Sequence, residues 1–147
     1  NDTFGHQAGD AVLRQFARIL DEAAREIDRV GRYGGEEFML LLPDALPEDA
    51  VHFAERVRKR IEGHTFTFEG GSIQRTASFG VAGWPHPKID HCDGLVRSAD
   101  DALYVAKETG RNKVVLFDSQ EFQAHISAEH GSDKHDDSTD GGTGRAA

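Results

Sequence analysis

The chain has 147 residues, 37% of them apolar, which suits one buried core and not two. A net charge of −9 argues against a nucleic-acid-binding surface, which needs a basic patch, but a local cluster of Arg, Lys or metal can still hold a small phosphorylated ligand. Cys92 stands alone, so no internal disulfide forms, and no apolar run approaches the roughly 18 residues that span a bilayer; a reduced, cytoplasmic setting is expected, with no membrane segment and no signal peptide.

The opening "NDTFGHQAGD" has no starting Met and is rich in turn residues, so a fragment of a longer protein is expected. Asp10 reads as the N-cap of a helix from Ala11 to Ile27, where Val12, Leu13, Phe16, Ile19, Leu20, Ala23 and Ile27 keep three-four spacing. Residues 29–33 and 36–42 read as strands joined by Gly34 and Gly35, a tight hairpin with positive φ at both turn positions. Pro47, Glu48 and Asp49 open a second helix that runs to about Ile61. "HTFTFEGG" and "SIQRTASFGVAGW" read as a second hairpin that turns near Gly70 and Gly71. Residues 84–92 read as a polar loop, and Asp93 as the cap of a third helix over 94–109 that Gly110 ends as a C′ glycine. "KVVLF" is a last strand. Residues 1–118 therefore make one domain, and 119–147 a C-terminal extension, largely disordered, with unstructured chain from about residue 126.

Helix, two strands, helix, two strands, helix, strand predicts an α+β fold, with helices against one largely antiparallel sheet. A ferredoxin-like core needs a strand before its first helix, and that strand is expected to be missing from this chain. At the hairpin tip, "GGEE" presents carboxylates where no side chain blocks approach. Mg²⁺ accepts one or two such carboxylates plus phosphate oxygens. A plain turn with solvated acids is the alternative on those residues alone.

"RYGGEEF" resembles the signature of the GGDEF domain, the bacterial diguanylate cyclase signalling family. "NDTFGHQAGD" resembles its ND-x-F-GH-x-x-GD segment, "TASFGVA" its T-x-S-x-G strand, and "SADDALYVAKETGRN" its AD-x-ALY-x-AK-x-x-GRN segment. The resemblance spans nearly all of residues 1–118. It implies a ferredoxin-like, nucleotidyl-cyclase-like core, similar to adenylyl cyclase and polymerase palm domains. It also implies condensation of two GTP to cyclic di-GMP with release of pyrophosphate. Each subunit of a homodimer would hold one GTP, and each 3′-hydroxyl would attack the other nucleotide's α-phosphate.

The same resemblance assigns roles. Glu36 matches the metal-binding catalytic acid that holds Mg²⁺ (or Mn²⁺) against the triphosphate, and Glu37 matches a second catalytic acid. Gly34 and Gly35 would admit the nucleotide. Asn1 and Asp10 match guanine-reading positions, and a carboxylate can indeed accept from guanine N1–H and N2–H₂. Lys107 and Arg111 match triphosphate ligands. Arg25 and Asp28 match an RxxD product-inhibition site for cyclic di-GMP, where Arg can pair with guanine O6 and N7, and Arg56 is a weaker contact to the same ligand. Each has a plainer reading: capping for Asp10, a solvated turn for Glu37, helix-end surface charge for Lys107 and Arg111, an i,i+3 ion pair for Arg25 and Asp28. Phe79, Ala99 and Leu103 read as core, Tyr104 as a packed aromatic, His6 as structural, and His125, His130 and His135 as solvated.

One departure from the family pattern matters. A further metal-binding Asp and the phosphate-gripping amides of the family's first strand and helix would precede Asn1. The chain is therefore expected to be weakly active or inactive alone. The alternative function is a cyclic di-GMP receptor without turnover.

Overall fold

Phe16, Ile19 and Leu20 share one side of the first helix, and the core grows from that stripe. The structure, a computed structural model, describes residues 2–136. In chain order these form α1 (Asp2–Ala23), β1 (Arg29–Gly34), β2 (Glu37–Leu41), α2 (Pro47–Glu62), β3 (Thr65–Phe68), β4 (Gly71–Gln74), β5 (Phe79–Val81), α3 (Cys92–Glu108), β6 (Val114–Leu116) and α4 (Gln120–Asp136). Ile19 and Leu20 meet Phe53, Val57 and Ile61 of α2 and Phe66 of β3, and Phe16 stacks on Phe38 of β2 with ring centroids 5.2 Å apart. A second cluster joins Ala102, Val105 and Ala106 of α3 to Val115 of β6 and Phe122 of α4. Phe79 packs against the first cluster.

The α+β architecture is as expected, but several details differ. Among the described residues the strands form three two-stranded pieces, β1–β2 and β3–β4 antiparallel and β5–β6 parallel, instead of one sheet. Periodicity marks strands without naming their partners. α1 begins at Asp2, so Asp10 lies inside the helix and caps nothing. Gly5 and Gly9 suggested a turn because each costs a helix about 1 kcal/mol relative to Ala, and packing of the Val12 and Phe16 face overrides that. The helix also stops at Ala23, which leaves Ile27 exposed. His91, not Asp93, is the N-cap residue of α3, and Asp93 sits in its first turn. Residues 126–136 are helical where unstructured chain was expected, because Phe122 and Ile126 anchor α4 on the second cluster. Tyr104 is half exposed, with its hydroxyl donating to Glu129 at 3.3 Å.

β5 and α3 touch backbone to backbone. A Cβ on Gly80 would lie 2.2 Å from the carbonyl oxygen of Ala99 and 2.3 Å from the amide nitrogen of Leu103. Neither atom belongs to a flexible side chain, so α3 would have to move outward. Gly80→Ala is predicted to lower the unfolding free energy by about 1–3 kcal/mol. Urea denaturation checks this, and an unchanged midpoint would contradict the close contact.

Candidate functional site

Strand alternation decides which acid faces what. In the β1–β2 register, Arg32 pairs with Phe38 and Val30 with Leu40. Phe38 and Leu40 face the core beside α1. Glu37 and Met39 alternate with them and so face the other way, toward α3. Lys107 reaches Glu37 from α3, its Nζ donating to Oε1 at 3.3 Å. Both side chains are part-exposed, so the ion pair is worth only a fraction of a kcal/mol, and its value is positional.

The tip itself is a two-residue loop. Gly34 still pairs with Glu37, so the loop residues are Gly35 and Glu36, with positive φ (+48°) only at Gly35. That corrects the Gly-Gly turn expected from sequence and matches the glycine-first preference of a II′-type hairpin. Arg32 steadies the loop, with Nε and Nη2 donating to the Gly35 carbonyl at 2.9 and 2.6 Å. Glu36 is exposed, and among the described residues its carboxylate has no hydrogen bond or ion pair. Asp100 faces the hairpin from α3 in a depression shared with Tyr33, Met39 and Arg97. Partial burial, then the Glu37 and Asp101 charges, hold its carboxyl above the ordinary aspartate range, and Lys107 pulls it down. Among the described residues no group of three or more His, Cys, Asp and Glu is arranged to hold a metal. The sparse carboxylates at the tip fit Mg²⁺ only in its usual nucleotide-bound manner, with phosphates completing the shell.

On the opposite face, α1 and the hairpin enclose a groove of about 430 Å³ lined by Asp10, Leu13, Arg14, Ala17, Asp21, Val30, Gly31, Arg32 and Phe38. Since Asp10 caps no helix, its exposed carboxylate stays available along that groove. Asp10 and Lys107 thus approach the hairpin from opposite faces. Arg111 is exposed just beyond α3, with φ +62° and, among the described residues, no partner for its guanidinium. Asn1 lies outside the described residues.

Arg25 and Asp28 form a closed unit at the end of α1. Nη2 and Nε of Arg25 donate to Asp28 Oδ1 at 2.9 and 3.2 Å, and the Arg25 amide donates to Oδ2 at 2.7 Å. Nη2 also reaches the Pro43 carbonyl at 2.8 Å. The Asp28 side chain is fully buried, while Arg25 remains 51% exposed. Hydrogen bonding from Arg25 holds the Asp28 carboxyl below its ordinary range against the opposing effect of burial. Arg56 lies on α2, exposed, 6.0 Å from the ring of its neighbour Phe53. Arg32 and Asp100 were not picked out from the sequence. The usable signals were an arginine two residues ahead of the glycine pair, and an aspartate seven residues ahead of Lys107 on the same helix face.

Helices on short, mostly antiparallel strands, with an acid-tipped hairpin beside a basic helix end, make an α+β fold of the nucleotidyl-cyclase kind. The family model for the diguanylate cyclase GGDEF domain matches residues 1–113, and the chain belongs to that family. Diguanylate cyclase A of Treponema denticola is 40% identical over 116 residues, which are 79% of this chain and 31% of that protein. The chain thus spans about a third of the length of this curated relative. The active GGEEF domain of a Vibrio cholerae diguanylate cyclase superposes with a TM-score of 0.69 at 36% identity, covering 82% of this chain and 75% of that one. The GGDEF domain of DgcB from Caulobacter crescentus, solved in complex with c-di-GMP, gives 0.68 at 31% identity over 81% and 70%.

The Arg25–Asp28 unit sets a pH dependence. A carboxyl whose folded pKa is depressed adds stability that is complete above the unfolded value, about 4, and is lost as pH falls through and below it. Asp28→Asn is predicted to cost about 1–3 kcal/mol at pH 7, with the gap to wild type closing below about pH 4. Denaturant titrations at several pH values check this, and a pH-independent gap would contradict it.

Proposed function

We infer that the chain is the catalytic domain of a diguanylate cyclase, which joins two GTP into cyclic di-GMP and releases pyrophosphate. The observation that carries this reading is the hairpin tip: an exposed Glu36 on a glycine loop, unpaired among the described residues, with Lys107 of α3 drawn up to the adjacent Glu37. Asp10 accepts from the guanine N–H edge within the α1–hairpin groove. Asn1, outside the described residues, is assigned to the same base by its match to the family pattern alone. Gly34 and Gly35 keep the approach open. Lys107 and Arg111 neutralise triphosphate charge, Glu36 would hold the divalent cation, Mg²⁺ or Mn²⁺, and Glu37 is the second acid of the site. When bound, the cation offsets charge on the phosphates and favours ionisation of the attacking hydroxyl. Each 3′-oxygen forms a bond to the partner nucleotide's α-phosphorus as the α–β bridge bond breaks. That geometry requires a homodimer with one GTP per subunit, in the cytoplasm, where GTP is available.

Arg25 and Asp28 form the site for product inhibition, with Arg56 as an outlying contact. A second reading, a cyclic di-GMP receptor without turnover, draws support from the half-exposed Arg25 guanidinium on a buried, already oriented Asp28. Arg25 then turns Nη1, which neither Asp28 nor the Pro43 carbonyl takes, toward guanine O6 and N7.

Nucleotide binding and product analysis test both readings. With Mg²⁺ present the chain is predicted to prefer GTP to ATP, and Asp10→Ala to reduce that preference about tenfold or more. Any cyclic di-GMP resolved by chromatography should disappear in Glu36→Gln. Equal binding of GTP and ATP by the wild type would contradict the cyclase reading. Calorimetry with cyclic di-GMP should show weaker binding by Arg25→Ala, and equal affinities would remove the regulatory site.

A further inference from the structure

Arg111 and Asn112 adopt left-handed backbone conformations in succession, with φ of +62° and +49°, directly after Gly110 at +122°. Glycine enters that region freely, whereas a side-chain-bearing residue stays there only when its surroundings hold it. Here the holding groups come from three places. The Arg111 amide donates to the Ala106 carbonyl at 2.9 Å, which closes the end of α3. The Asn112 amide donates to the Ser78 hydroxyl at 3.1 Å, just before β5. The Asn112 side chain is gripped from α2, its Oδ1 accepting from Arg58 Nη1 at 2.9 Å and its Nδ2 donating to Glu62.

Arg58 is itself fully engaged. Glu55 takes its Nε and Nη2, the latter at 2.6 Å, Glu62 shares Nη1 at 3.0 Å, and its side chain is only 13% exposed. It cannot swing out to meet a ligand and acts as an internal strut. Arg111, the neighbour of the gripped asparagine, is exposed, and its guanidinium has no partner among the described residues. The bonds therefore fix the backbone on either side of a guanidinium that they leave free.

We propose that Asn112, clamped by Arg58 and Glu62 of α2 and by Ser78, is a positioning residue that presents Arg111 to the triphosphate. The proposal rests on the assignment of Arg111 as a phosphate ligand and deepens it. The clamp fixes the backbone that carries the arginine before the nucleotide arrives, so less backbone freedom is lost on binding. It acts on the phosphate end of the ligand and leaves the base untouched.

Asn112→Gly separates the clamp from the backbone, because glycine keeps the left-handed turn without strain but offers nothing for Arg58 or Glu62 to hold. Calorimetry on the full chain with Mg²⁺ compares GTP with GMP. The variant is expected to bind GTP about tenfold more weakly, and GMP within about twofold of wild type. In an Arg111→Met background the same change is expected to add nothing further. A wild-type GTP-to-GMP ratio in Asn112→Gly overturns the proposal, as does equal weakening of both nucleotides or an undiminished loss without Arg111. Should Asn112→Gly fail to fold, Ser78→Ala removes one bond to the same turn, and the same outcomes decide, with a smaller expected loss. A wild-type chain that binds GTP no better than GMP overturns the phosphate role of Arg111 itself, and the proposal falls with it.

Discussion

The contact between β5 and α3 at Gly80 is the constraint on which the site depends. With no Cβ in the way, the α3 backbone lies directly on the strand. Ala102, Val105 and Ala106 then bury against Val115 and Phe122. The helix is thereby held at one height and one rotation. Lys107 lies beyond that buried stretch, and its reach to Glu37 follows from where the helix is seated. A weak, part-exposed ion pair could not pull two elements together, so the apolar contact sets the geometry and the ion pair reports it.

The hairpin divides the site by simple alternation. One face supplies Phe38 and Leu40 to the core and lines the groove beside Asp10. The other presents Glu37 toward α3. The tip, where Gly35 turns the chain and Arg32 ties the loop, is exposed. In the proposed reading a chain of net charge −9 holds an anionic ligand through two local cations, Lys107 and Arg111, with the divalent cation offsetting the acids at the tip. The alternation also explains why, among the described residues, Glu36 has no partner while Glu37 does.

Features set by neighbouring residues could be read from the sequence. The glycine pair marked the hairpin, Pro47 the start of α2, Gly110 the end of α3, and Gly70 and Gly71 the turn of β3 and β4. Features set by distant contacts could not. Gly5 and Gly9 disguised the first turns of α1, so Asp10 was read as a cap when it is an unspent carboxylate on a helix face. The charged stretch after Asp118 hid α4, whose apolar anchors on the second cluster are Phe122 and Ile126. The pairing of β5 with β6, 35 residues apart from Phe79 to Val114, left no local trace. The clamp on Asn112 brings together residues 54 and 34 positions away, again beyond any local pattern. The RxxD stretch was visible, but not the way burial of Asp28 makes it part of the fold as well.

The account turns on the hairpin tip as the meeting point of cation and triphosphate. A crystal of the chain grown with a non-hydrolysable GTP analogue and Mn²⁺ tests this most directly through the anomalous signal of the metal. The account predicts a manganese peak within bonding distance of a Glu36 carboxylate oxygen, at about 2.0–2.2 Å, with the triphosphate reaching Lys107 and Arg111. A nucleotide seated elsewhere, with no metal at Glu36, would contradict it.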